Sequence, residues 1–179
     1  QIFQHPHDTL DIVSTEWNKN DSIAGYNDLE KFEDTMLKLM FAERGMGLAA
    51  NQIGITKRFF AIGHESFDTL SKPAIIYNPK ILKSSKDKVI DLEGCLSFKN
   101  VWLKVERPRK VEVQYELSNG QIHMAELDGM ESKCFQHEVD HLDGITFDKR
   151  VSKLKWQMAK KMFTISKHTL AIWCFGSNL

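Results

Sequence analysis

The segment Gln136-His137-Glu138-Val139-Asp140-His141 constrains this chain more than any other. Residues four apart share one side of an α-helix, so a helical reading sets the imidazoles of His137 and His141 next to each other. Two such imidazoles can hold one divalent cation, and Glu138 sits beside them on nearly the same face. A carboxylate there can take a proton from a water held at the cation, the arrangement of metal-assisted hydrolysis. The blander reading is an amphipathic helix whose histidines fall four apart by chance. The rest of the chain weighs against it.

A hydrolytic metal site needs a third protein ligand and an open position for water. Cys95, in Leu92-Glu93-Gly94-Cys95-Leu96-Ser97, offers a thiolate suited to that place, and Gly94 lets the backbone come close. The competing reading makes Cys95 a small buried hydrophobe, as many free cysteines are. A third segment, Gly45-Met46-Gly47-Leu48-Ala49-Ala50-Asn51-Gln52-Ile53-Gly54, has so little side-chain bulk that a substrate or another backbone can lie along it. Gln52 adds a neutral amide donor fit to hold a carbonyl oxygen as it gains charge. The segment is no phosphate loop, lacking both the Gly-Lys-Ser/Thr ending and G-x-G-x-x-G spacing. Its remaining reading is a helix end with Gly45 as the cap, followed by a tight turn.

At 179 residues and 42% hydrophobic content the chain predicts one domain with its own core. Charges balance at 24 against 24, so no net field favours DNA or an acidic membrane. Cys95, Cys134 and Cys174 are odd in number and far apart, which points to a reducing compartment rather than a disulfide framework. No apolar run approaches the ~20 residues that span a bilayer. The expected location is cytoplasmic, or organellar if a presequence preceding Gln1 has been removed.

Asn27 with Glu30 reads as a helix start, and Leu29, Phe32, Met36, Leu39 and Met40 form a core-facing stripe that ends at Gly45. Strand-like runs follow at 58–62, 74–78 and 101–105, and 111–115 with 121–127 flank the turn Ser118-Asn119-Gly120. The motif helix is expected from about Glu131 to Leu142, stopping near Gly144. This predicts an α+β fold, antiparallel sheets around a central metal-binding helix.

The three segments, in this order and spacing, resemble the signature motifs of the peptide deformylases: GMGLAANQ at 45–52, EGCLS at 93–97 and QHEVDH at 136–141. Similarity also runs through Lys57-Arg58-Phe59-Phe60 and Val105-Glu106-Arg107-Pro108, covering roughly residues 3 to 150. The resemblance implies hydrolysis of the N-formyl group from the initiator methionine of nascent chains, releasing formate. It implies Cys95, His137 and His141 as metal ligands, Glu138 as general base and then acid, and the Leu96 N–H with the Gln52 side chain as oxyanion donors. It implies a methionine pocket from Met46, Gly47, Glu93, Met130, Cys134 and His137, with the backbone near Gly94 aligning the peptide as an added strand. The ligand set alone suggests zinc, whereas the resemblance implies Fe2+ as the native ion, with Ni2+ or Co2+ able to replace it. Residues 1–150 would form the catalytic domain and 151–179 a C-terminal helix and tail on it, in a monomer. Asn51 and Lys99-Asn100 depart from the family, where proline and Pro-Gly are common. These departures predict a looser loop and a rim of different shape.

Other arrangements fit these residues less well. A closed structural site using Cys134 fails because Cys134 and His141 are seven residues, about 10 Å, apart along a helix. A His-Glu-x-x-His peptidase usually takes a third histidine or glutamate after the motif, where this chain has only Asp143 and Asp148. Asp140 could accept the second N–H of a ligating histidine, and Asp143 could help to end the helix. His5, His7, His64, His123 and His168 are expected to be solvated. In the tail, Lys149, Arg150, Lys153, Lys155, Lys160 and Lys161 accompany Leu154, Met158 and Met162 at helical spacing. That pattern predicts an amphipathic helix packed on the body, and the resemblance makes a contact with ribosomal RNA the functional alternative. The apolar run Ala171-Ile172-Trp173-Cys174-Phe175 could add an edge strand or cover the core.

Overall fold

The computed structural model describes residues 1–23 and 25–165, with only the backbone for 161–165. The tail run at 171–175, Cys174 and His168 lie outside the described residues.

Alternation along two strands sets the architecture. In β2 (Phe59–Ile62) and β3 (Ala74–Ser84), Phe59, Ala61, Ile75 and Tyr77 share one core with Phe32, Met36 and Met40 of helix α1 (Leu29–Ala42). The intervening Phe60, Ile62 and Ile76 point the other way. They pack with Phe135, Val139 and Leu142 of helix α2 (Gly129–Leu142). Successive strand side chains face opposite sides of a sheet, so this part of the sheet is buried on both faces between two helices. Its order is β1-β2-β3-β6-β7, all pairs antiparallel, with β1 at Gly47–Ala49, β6 at Lys110–Glu116 and β7 at Ile122–Asp128. A separate antiparallel ribbon joins β4 (Lys88–Cys95) to β5 (Phe98–Pro108). The fold is α+β, as expected.

α1 is capped by Asp28, whose carboxylate accepts from Glu30 N–H and Lys31 N–H, so the cap lies one residue beyond the expected Asn27. At its other end Arg44, not Gly45, takes the left-handed conformation (φ +59°), and Gly45 N–H closes the turn on Met40 O at 2.8 Å. Gly45 is needed for space instead: a Cβ there would meet Leu96 Cδ1 at 2.7 Å. α2 ends as expected, with Asp143 as cap and Gly144 left-handed at φ +68°.

β1 and β4 were not legible as strands. β4 inverts the usual pattern, with Ile90 and Leu92 facing solvent while Asp91 and Glu93 reach for partners on the protein side. The third helix, α3 (Lys153–Ile165), is present, but its expected face is corrected. Trp156 and Ala159 pack against Phe98, Phe147 and Cys95, while Leu154 and Met158 are exposed. The large indole, edge-on to Phe98 at 5.7 Å, outcompetes the thinner aliphatic stripe for the ribbon. His5 is exposed, as expected, and stacks on Phe98, while His7 is half-buried against Phe3. No described helix is long and apolar enough to cross a membrane.

Candidate active site

Helix α2 is buried along nearly its whole length although two thirds of its buried residues are polar: Glu131, Ser132, Lys133, Gln136, His137, Glu138, Asp140 and His141. A polar helix survives inside a protein only if its side chains find partners, and most of them do. Glu131 accepts from the Thr69 and Leu70 N–H groups, and Gln136 donates to Pro108 O. Asp140 accepts from Arg107 at 2.8 Å and also pairs with Arg150. Two groups are left over: Glu138 Oε2 and His141 Nδ1 are buried with no hydrogen-bond partner.

These orphans sit where the three sequence segments meet. Cys95 Sγ lies 3.1 Å from His141 Nε2, and the ligand atoms of Cys95, His137 and His141 all fall within 4.8 Å of one another. Among the described residues no other group of three or more such side chains converges in this way. The donor set, two imidazoles and a thiol, fits a borderline divalent ion such as zinc, iron, nickel or cobalt. His137 Nδ1 is 3.1 Å from Glu93 Oε2, which leaves Nε2 for the ion. Glu93, rather than the expected Asp140, is therefore the carboxylate that meets a candidate ligand. Asp140 is engaged by two arginines instead.

Burial and its neighbours set the charges. Burial opposes the Glu93 carboxylate, but the bond to His137 and the Arg107 guanidinium outweigh it and hold the carboxyl at about 2. Burial also opposes a charged His137, yet its bonds to Cys95 and Glu93 lift it well above the ordinary value. His141 is pushed well below that value by burial and by the neighbouring His137. Burial raises the Glu138 carboxyl to about 7, the range in which a carboxylate exchanges protons near neutral pH. The Cys134 thiol, fully buried, is pushed well above its usual value.

A small cavity opens on this cluster, lined by Gly45, Met46, Gly47, Gln52, Gly94, Cys95, Leu96, His137 and Glu138. Gly47 lies so close to Glu138 that a Cβ would fall inside the carboxyl group. Gln52 Oε1 accepts from Ala49 N–H at 2.8 Å, and its Nε2 donates to Ser97 Oγ at 3.0 Å with Cys95 Sγ 3.6 Å away. Met130 and Cys134 do not line the cavity. They belong to the core cluster that contains Met46, and Glu93 lies behind His137. Asn51 does not loosen its loop: fully buried, it donates to His141 O at 2.5 Å and ties the loop to α2. Asn100 takes a left-handed conformation at φ +62°, which asparagine tolerates, in the ribbon beyond the site. Arg107 and Ser97 were not among the expected site residues, and the only signal for Arg107 was its place in the Val-Glu-Arg-Pro run of the resemblance.

A family model described as polypeptide deformylase matches residues 1–157. The chain belongs to the polypeptide deformylase family. It is 37% identical to the peptide deformylase of Rhizobium meliloti (strain 1021) over 142 residues, 79% of this chain and 82% of that protein. Among solved structures it resembles the peptide deformylase of Synechococcus elongatus in complex with actinonin, with a TM-score of 0.80 and 35% identity over 92% of this chain and 89% of that one. It also resembles the Met-Ala-Ser-bound class I type b peptide deformylase of Acinetobacter baumannii, with a TM-score of 0.76 and 29% identity over 84% and 97%. As a deformylase the chain is a metal-dependent hydrolase that removes the N-formyl group from the initiator methionine of nascent polypeptides.

Proposed function

We propose that Cys95, His137 and His141 hold the metal ion of this deformylase, that Glu138 moves the proton, and that Gln52 and the Leu96 N–H receive the oxyanion. One observation carries the reading: the Glu138 carboxylate, buried without a partner, beside a converging thiol and imidazole pair. A divalent cation held by these three residues would supply an acidified water and a Lewis acid for the formyl carbonyl. Glu138, whose buried carboxyl is raised to about 7, is placed to take a proton from the attacking water and to give it to the leaving amine. The Gln52 amide, fixed through Ala49 and Ser97, stands beside the sulfur ligand as a preorganised donor for the negative oxygen. Glu93, anchored by Arg107 at 2.6 Å, holds the His137 ring in one tautomer.

The substrate is an N-formylmethionyl peptide lying along Gly47 and Gly94, with Met46 and Gly47 about its methionine and Glu93, Met130 and Cys134 in the layer behind them. The Met-Ala-Ser complex of the Acinetobacter baumannii relative supports this reading. We assign Fe2+ as the native ion, with Zn2+, Ni2+ and Co2+ as substitutes. All three ligands come from one chain, which supports a monomer. Residues 1–150 then form the catalytic unit, working in the cytoplasm or in an organelle. In the basic segment, Lys149 pairs with Asp11 and Arg150 with Asp140, while Lys153 and Lys155 stay exposed. These two lysines are the proposed ribosome contact, and charge reversal of both should weaken ribosome binding.

The test is anaerobic purification, metal analysis and formate release from formyl-Met-Ala-Ser. About one equivalent of iron with turnover supports the assignment. Turnover with no bound metal overturns it.

A further inference from the structure

The ribbon β4–β5 shows the solvent a face that does not look like a solvated surface. Directly opposite pairs along it are Ile90 with Glu106, Leu92 with Lys104, and Gly94 with Trp102, and opposite residues share a face. Ile90 is 63% and Leu92 42% exposed, and the Trp102 indole lies against Gly94. Trp102, Leu92 and Ile90 therefore form an apolar line with Lys104 and Glu106 as its polar margin. The line begins at Gly94, which lines the catalytic cavity.

We infer that this line is a subsite for the polypeptide substrate beyond its first residues, favouring apolar side chains at roughly the third to sixth positions. The inference rests on the deformylase reading above. Cys95 is the last residue of β4, and the chain turns at Leu96 and Ser97, so an extended peptide whose formyl end sits at Cys95 has strand beside it only in the direction of Lys88. β4 pairs only with β5 among the described residues, which leaves its other edge open. An extended chain advances about 3.3 Å per residue and puts alternate side chains on one face, so it passes Leu92 and Ile90 in step. The occupant is a passing peptide rather than a permanent strand. Leu92 N–H already bonds the Asp91 carboxylate at 2.8 Å, which blunts the edge against continuous pairing with a second copy of the chain. Past Gly94 the grip is by side chains.

The test uses anaerobically prepared, iron-loaded enzyme and three substrates: formyl-Met-Ala-Ser, and seven-residue formyl peptides whose residues three to six are either leucine and valine or serine. Wild type should turn over the apolar heptapeptide with kcat/KM roughly fivefold to tenfold above the serine one. Ile90→Ser and Leu92→Ser, separately and together, should erase that preference and leave the tripeptide rate within about twofold. Equal rates on both heptapeptides in wild type overturn the subsite, as does a variant that slows all three substrates alike. Sedimentation supplies the last arm: a wild-type dimer that the double variant dissolves, without a substrate preference, would make the face a contact between copies and overturn the inference. Failure on formyl-Met-Ala-Ser itself would strike the deformylase reading instead.

Discussion

Glu93 and His137 meet across two elements whose periods match. Two residues along β4 advance about 6.6 Å and four along α2 about 6.0 Å. Three contacts therefore repeat in register: Asp91 with Lys133, Glu93 with His137, and Cys95 with His141. The proposed ion site is the last rung of this ladder, and the two rungs before it align the strand that carries the sulfur with the helix that carries the imidazoles.

The middle rung has a consequence for acid stability. The Glu93 carboxyl sits at about 2 in the folded protein against an ordinary 4.5. A depressed carboxyl adds stability that is complete above about pH 4.5 and is lost as pH falls toward 2. In metal-free protein Glu93→Gln should therefore be less stable than wild type by about 3 kcal/mol near pH 6. The gap should close on acidification toward pH 2. Urea unfolding at several pH values measures it, and a constant gap would show that the carboxylate charge contributes nothing.

Glu138→Ala should bind metal as wild type does while kcat falls by about 10²–10⁴. Removing a buried carboxyl that has an orphan oxygen leaves no new unpaired group, so the melting temperature should hold or rise. Metal analysis beside formate release separates the two effects. Undiminished turnover would remove Glu138 from the proton path.

Cys95→Asp exchanges a soft sulfur for a hard oxygen one bond farther from the backbone. Metal affinity should drop roughly 10-fold or more and the preference should shift away from thiophilic ions. Competition with a chelator reads the change. Unaltered affinity and rate would mean that Cys95 is no ligand.

Gly47→Ala places a methyl where the Glu138 carboxyl now lies. One of the two must move, so kcat should fall on the order of 10²-fold, the usual cost of an ångström-scale misplacement. Circular dichroism should show the fold intact. Wild-type activity in this variant would mean the carboxylate is free to stand elsewhere.

The α2 site was legible in the sequence because helical spacing is local: His137, Glu138 and His141 fall on one face whatever the rest of the chain does. Two strands of the long sheet were legible for the same reason, through the unbroken apolar runs at Phe59–Ile62 and Ala74–Tyr77. β4 was not, because its apolar side chains face water and its carboxylates face the protein, the reverse of what a strand pattern signals. The face of α3 escaped as well, since two stripes at helical spacing compete there and only contact with Phe98 selects Trp156. Residue identity and short-range period thus settled which groups could bind a cation and move a proton. The partner of each group across the chain, Glu93 behind His137 instead of Asp140, Arg107 behind Glu93, Asn51 on His141 O, was decided by tertiary packing. Buried charges take whichever opposite charge the fold brings within reach, and that distance is not written in sequence separation.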